Sequence, residues 1–278
     1  MGKKAFYRNL FGEHPYAGDP LGDKASVESL TRDDLLDFYR RYYVARNLVV
    51  AMVGAVDRSQ AVRIAERLTA GLAEGEAAPA VPPVPGLTAG QLKRLDFPSS
   101  QSHLFAGQPG MRRGDPDYFT LYVGNHVLGG NGLVSQLSQE VREKRGLSYS
   151  VYSYFLPMQQ DGPFMMGLQT KNSQVDDARQ VLMDTLRRFR EQGPTAEELQ
   201  AAKQNITGGF PLRIASNSKI VQYLAMIGFY NLPLDYLDVF NDKIEAVTAE
   251  QIRDAFRRRL DPERFVTVVV GERGPFVQ

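Results

Sequence analysis

The stretch EAVTAEQIRDAFRRRLDPERFVTVVVG, residues 245–271, has a second version in the same chain, ESLTRDDLLDFYRRYYVARNLVVAMVG, residues 28–54. The two align without a gap at a constant offset of 217 (245 − 28). Glu28 falls on Glu245, Thr31 on Thr248, Asp37 on Asp254, Arg40 and Arg41 on Arg257 and Arg258, Val49 on Val266, and Gly54 on Gly271. In each copy a threonine able to cap a helix is followed three positions later by an acid or amide that can cap in return. An amphipathic pattern follows, and then an apolar, β-branched run that ends at glycine. The repeat predicts one helix and one strand at each place, and hence two homologous units.

Between the copies lies EGEAAPAVPPVPGLTAG, residues 74–90. Its prolines and alanines neither pack a core nor continue a helix, so it reads as an extended linker that separates residues 1–73 from a second unit at 91–278. Within that unit, strands are expected at about 92–98, 101–108, 148–156 and 163–170. A helix should open at Asp115 and Pro116, a cap followed by proline in the first helical position. Others are expected at about 133–145, 174–192 and 195–213, the last begun by a capping box of Thr195 and Glu198, with two or three more helices before the final strand. Strand pairs and helix pairs in separate blocks predict an α+β fold, with helices covering one face of a largely antiparallel sheet. A first unit of the same size would need far more residues before Glu28 than the 27 present. The chain is therefore expected to begin inside its first domain.

Composition removes several classes of function. With 33 basic and 32 acidic residues, a formal charge of +1, no overall field draws the chain to nucleic acid or an anionic membrane. The arginine clusters MRRG, VREKRG and FRRRL lie on separate elements, lack interleaved aromatics and are matched by acids along the same helices, so no nucleic-acid partner is expected. No cysteine is present, which excludes disulfides, thiolate metal sites and a cysteine nucleophile. The apolar runs, such as NLVVAMVGAV, are too short to span a bilayer, and the opening MGKKAFYRNL lacks the apolar core of a signal peptide.

Two segments carry a resemblance. HPYAGDPLGDKASVESLTRDDLLDFYRRYY, followed by a short apolar strand, resembles the second half of the first domain of the M16 metallopeptidases, the pitrilysin and insulinase group. LGGNGLVSQLSQEVREKRGLSYSVYS resembles the signature of that family's homologous, non-catalytic second domain. The resemblance implies an M16-like fold in which 1–73 is the C-terminal part of a first domain and 91–278 a complete non-catalytic domain. The family's zinc motif, His-x-x-Glu-His, is not in this chain. Its only histidines are His14, His103 and His126, so no metal ligand is assigned here, and zinc is implied in a catalytic half elsewhere.

Each candidate residue also has an ordinary reading. His126 follows Tyr122 by four residues and Phe119 by seven, on an apolar helix face, and reads as a packed core residue. His14 lies in the turn-rich EHPYAGDP, and His103 in an alternating strand. The glycines of LGGNGLVSQL follow a helix rather than a strand and lack the Gly-Lys-Ser/Thr of a phosphate loop, so a tight turn between helices is expected. The resemblance places this turn, Gly129, Gly130, Asn131 and Gly132, near a peptide chamber. Arg142 alone reads as a cation at a helix C-terminus, and Tyr149 as a half-buried strand residue alternating with Leu147 and Val151.

By resemblance, Arg142 and Tyr149 point across the chamber and donate hydrogen bonds to a peptide whose carbonyl is attacked at zinc. Two functions follow. One is the substrate-binding half of a zinc metalloendopeptidase, with a peptide or unfolded polypeptide as substrate and a catalytic M16 domain, a separate subunit or a second copy as partner. The other is a catalytically dead scaffold that binds peptide or a partner without cleaving.

Overall fold

The computed structural model describes residues 1–272. In chain order its elements are α1 (Gly2–Phe11), α2 (Lys24–Ser29), α3 (Arg32–Tyr42), α4 (Arg58–Thr69), β1 (Gln91–Asp96), β2 (Gln101–Met111), α5 (Tyr118–Asn125), β3 (Val151–Phe155) and β4 (Gly162–Lys171), followed by α6 (Val175–Gln192), α7 (Ala196–Arg213), α8 (Asn217–Phe229), α9 (Phe240–Glu245), α10 (Ala249–Arg259) and β5 (Val266–Gly271).

The helical halves of the repeat form alike. α3 and α10 are each 11 residues long and begin at reciprocal caps. The Asp34 amide donates to the Thr31 hydroxyl at 3.2 Å, and the Gln251 amide to the Thr248 hydroxyl, also at 3.2 Å. The strand halves part company. β5 is fully paired, whereas residues 49–53 of the first copy carry no strand pairing. A strand needs a neighbour to satisfy its backbone, and all five strands lie in the other compact unit.

Contacts gather the chain into two such units. One contains residues 1–18, 82–207 and 241 onward, and the other residues 19–81 and 208–240. Residues 1–73 therefore do not hold together as one block. The first 18 join the sheet-bearing unit because Phe6, Leu10 and Phe11 of α1 are buried against Met165, Val266, Val268 and Val270.

In the sheet-bearing unit the strand order is β1-β5-β2-β4-β3. β1 runs parallel to β5, with Gln91 beside Val266, and the other three pairings are antiparallel, with Leu104 beside both Val269 and Leu168. Alternate residues of β5 turn to α1, so this helix lies on one face of the sheet. On the other, Phe155 and Phe164 are packed 4.6 Å apart. Phe155 continues this contact to Phe256 of α10 at 6.2 Å, and Phe256 to Phe189 of α6 at 4.9 Å. The fold is α+β with a mostly antiparallel sheet, and α1 adds cover on the face where the sequence predicted none.

In the other unit, α3 presents Leu35, Phe38 and Tyr39 to solvent at 60, 57 and 52 % exposure. Their counterparts in α10, Ile252, Ala255 and Phe256, are all 0 % exposed.

Candidate functional site

The chain leaves α5 through a wide turn, His126–Gly130, that brings the glycines against β3. A Cβ on Gly129 would lie 2.4 Å from the Ser153 hydroxyl and 2.7 Å from the Ser153 amide, so only glycine fits this approach. The turn is pinned by Asn125, whose side-chain amide donates to the Ser153 carbonyl at 3.1 Å and accepts from the Ser153 hydroxyl at 2.7 Å. Nothing local in the sequence marks that pair. Asn131, with His126, Gln139, Glu197 and Glu198, lines a cleft of about 460 Å³. Arg142 and Tyr149 are not among its lining residues.

The helix expected at 133–145 begins only at Gln136, after a separate short turn at Gly132–Val134, and is wound more widely than an α-helix. Gly132 has φ +49°, and Ser135 donates back to the Gly132 carbonyl at 2.8 Å. A wide turn at Ser138–Glu143 follows, where the Lys144 amide reaches back five residues to Gln139 at 2.9 Å. Residues 148–150 also differ from the expectation, because β3 starts only at Val151. The Ser148 hydroxyl lies 2.7 Å from the carbonyls of both Ser150 and Gln169, and these bonds hold the chain in a loop. The helix predicted to open at Asp115 starts later, at Tyr118, since the Asp115 carboxylate accepts from the Asp117 amide at 2.9 Å and shapes a turn first. The capping box of Thr195 and Glu198 forms as predicted, at 2.8 and 3.1 Å.

Those two departures bring Arg142 and Tyr149 together. Gly146, at φ +60°, reverses the chain, and the Arg142 guanidinium comes to rest 4.5 Å from the centroid of the Tyr149 ring. Tyr149 is 83 % exposed, so it is not the half-buried strand residue that alternation predicts. Its ring is a platform for a cation rather than part of a core. The Arg142 Nε also lies 3.3 Å from the Glu143 carboxylate. A guanidinium and a phenol are thus presented side by side at the surface, both able to donate hydrogen bonds to a carbonyl or carboxylate.

Two residues before Arg142 lies a group that the sequence reading missed. The Glu140 side chain, only 11 % exposed, accepts from Lys144 at 2.8 Å and Arg145 at 2.5 Å, and lies 3.2 Å from Arg188 of α6. The hydrogen bond from Lys144, with that from Arg145 and the nearby Arg188 charge, pushes its pKa from 4.5 down to about 2. A carboxyl that titrates lower when folded adds stability above its unfolded pKa and loses it as pH falls through its folded one. Glu140→Gln is therefore expected to lower stability at neutral pH and to flatten the decline between pH 4.5 and about 2. Denaturant unfolding across that range checks this, and an unchanged acid limb would refute it.

The histidines do not converge. In His14 both ring nitrogens are engaged, Nε2 with the Pro82 carbonyl at 2.8 Å and Nδ1 with the Tyr16 amide at 3.1 Å. His103 lies on β2, and His126 lines the cleft where α5 runs on into the widened helical turn His126–Gly130, its amide bonded back to the Tyr122 carbonyl. Among the described residues no group of three or more histidines and carboxylates could hold a metal ion, so the side chains present do not fit zinc. No helix among them is long and apolar enough to cross a membrane. The arginines of α10 are matched by acids: Arg258 forks onto Asp117 with both bonds at 3.1 Å, Arg257 meets Glu191 at 2.6 Å, and Arg259 pairs with Asp115.

Comparison with known proteins places the chain in a family. An uncharacterized zinc protease of Streptomyces coelicolor is 31 % identical over 270 residues, covering 95 % of this chain and 59 % of the relative. An uncharacterized zinc protease of Mycobacterium tuberculosis is 30 % identical over 272 residues, covering 97 % of this chain and 62 % of the relative. The chain thus spans about three-fifths of the length of these relatives. The crystal structure of a peptidase M16 inactive domain from Pseudomonas fluorescens superposes with a TM-score of 0.93 at 39 % identity, covering 98 % of this chain and 65 % of that one. The family profile described as the peptidase M16 inactive domain matches residues 29–206, a range that holds α3, the glycine turn, Arg142 and Tyr149, and by this match the chain belongs to the peptidase M16 family.

Proposed function

We propose that this chain forms the peptide-facing, non-catalytic half of an M16-type metalloendopeptidase, with Arg142 and Tyr149 as its donors to bound peptide. The observation that carries the reading is the pair itself, because a tyrosine that is 83 % exposed and held against an arginine has no packing role that requires it. A peptide carbonyl gathers negative charge as it is attacked. Two fixed donors stabilise that charge, or the neighbouring peptide backbone, more in the transition state than in the ground state. The turn of Gly129, Gly130, Asn131 and Gly132 would line the same chamber.

The side chains that would hold zinc belong, in this reading, to a partner: a catalytic M16 domain, a separate subunit or a second copy. The repeat supports the need for one. Leu35, Phe38 and Tyr39 are open where Ile252, Ala255 and Phe256 are covered, so residues 19–73 present the face of a domain whose remaining layer is to be supplied. By family resemblance we assign residues 1–73 to the end of a first M16-like domain, 74–90 to a linker and 91–278 to the non-catalytic domain, while in space residues 1–18 pack with the sheet-bearing unit.

The purified chain is expected to hold no stoichiometric zinc and to cleave no peptide alone. Cleavage should appear when a polypeptide carrying His-x-x-Glu-His from the same enzyme is added. About one tightly bound zinc per chain by metal analysis, or chelator-sensitive hydrolysis without that addition, would overturn the proposal.

A further inference from the structure

Arg142 sits in the middle of a short segment fastened at both ends to one carboxylate. Before it is Glu140 itself, and after it come Lys144, at 2.8 Å from Glu140 Oε1, and Arg145, at 2.5 Å from Oε2. Arg145 also donates to the Glu140 backbone carbonyl at 2.9 Å, which closes the segment into a loop. A third cation, Arg188, comes from α6 and lies 3.2 Å from Oε1. The carboxylate therefore ties the loop to itself and to a long helix of the same unit. The Glu140 side chain is 11 % exposed while its three cations reach solvent, so losing the carboxylate charge would leave those cations gathered around a site with no anion to hold them.

The four residues from Lys144 onward to Leu147 then set where Tyr149 begins. Gly146 closes the turn on the Arg142 carbonyl at 2.9 Å, and Leu147 is hydrogen-bonded to the Val141 carbonyl at 2.9 Å. The register of Arg142 against Tyr149 thus depends on a segment whose ends meet at Glu140.

We propose that Glu140 is a positioning residue for the Arg142–Tyr149 pair, fixing the loop so that the guanidinium lies over the ring and both donors face outward. Its functional meaning rests on the reading given under Proposed function, but the positioning itself can be tested without peptide or metal.

The test compares the parent chain with Glu140→Gln, Glu140→Asp and Arg188→Met. Three signals are read: the rate of Arg142 modification by phenylglyoxal and of Tyr149 nitration by tetranitromethane, each located by mass spectrometry, and amide hydrogen exchange over residues 142–150. Glu140→Gln should speed modification of Arg142 and exchange of 142–150 several-fold more than elsewhere in the unit. Glu140→Asp should restore part of the protection, and Arg188→Met should show a smaller change of the same kind. A merely structural role would raise exchange evenly through the unit and lower thermal stability without singling out this loop, and that result overturns the proposal.

If Glu140→Gln does not fold, Arg188→Met decides, since it removes only the tie to α6. Unchanged Arg142 reactivity in a folded Arg188→Met then counts against the proposal. In the complete enzyme Glu140→Gln should lower kcat by about 10- to 100-fold with KM little changed. Should the parent enzyme fail to cleave peptide, the functional reading fails while the modification rates still decide on Glu140.

Discussion

Tyr149→Phe and Arg142→Met, placed in the complete enzyme that includes this half, should each lower kcat/KM by about 30- to 1,000-fold, or about 2–4 kcal/mol of transition-state stabilisation. The magnitude is that of removing one donor from a preorganised site for developing negative charge. Stability should hardly follow. Tyr149 is 83 % exposed and its hydroxyl makes no hydrogen bond among the described residues, so removing that oxygen leaves packing intact. Arg142→Met loses the cation from the ring face, a contact of about 0.5–1 kcal/mol at an exposed place. Thermal unfolding and peptide turnover measured on the same variants separate the outcomes. Full turnover in both, or a loss of turnover that tracks a loss of stability, would leave the two residues as ordinary structure.

The second large effect is expected from one register position in the two copies. Phe256 is 0 % exposed and meets Phe155 and Phe189, so Phe256→Ala should cost about 3–5 kcal/mol of folding stability. Its counterpart Tyr39 is 52 % exposed, and Tyr39→Ala in this chain should stay within about 0.5 kcal/mol. With the zinc-bearing half present, the same Tyr39→Ala should weaken association, because the ring would then be buried as Phe256 is. Equal losses for both substitutions in the isolated chain would contradict the difference in burial, and unaltered association would remove the argument for a covering layer.

What could be read in advance was mostly what is local. The caps at Thr31, Thr195 and Thr248 depend on residues three apart, and each forms where the spacing puts it. The strand of β5 was legible too. Its twin at 49–53 shows the limit of that reading, since the same apolar run stays unpaired when no neighbouring strand lies in its unit. The destination of α1 was hidden for a similar reason: Phe6 and Phe11 say that one face is apolar, not that Val266 and Met165 will cover it.

At the candidate site, the family resemblance alone singled out Arg142 and Tyr149, since each had an ordinary reading by itself. Their meeting depends on a loop where alternation had predicted strand. Ser148 explains that loop, but its acceptor at Gln169 lies on the neighbouring strand and leaves no trace in the local pattern. Glu140 was overlooked because Arg188, which completes its ring of cations, comes from a different helix.

The place of β5 has a consequence for how the chain is made. This strand lies between β1 and β2, and of the five described strands it is the last to leave the ribosome. Until Val266 to Gly271 emerge, β1 has no partner in the sheet, β2 has only β4, and the apolar side of α1 waits for Val266, Val268 and Val270. Closing the sheet joins residue 91 to residue 266 in parallel, a contact between distant points of the chain that loop entropy makes slow. During synthesis an incomplete sheet would therefore be exposed from the time β1 appears until residue 266 emerges, and a molecular chaperone would meet its greatest need just before β5 arrives.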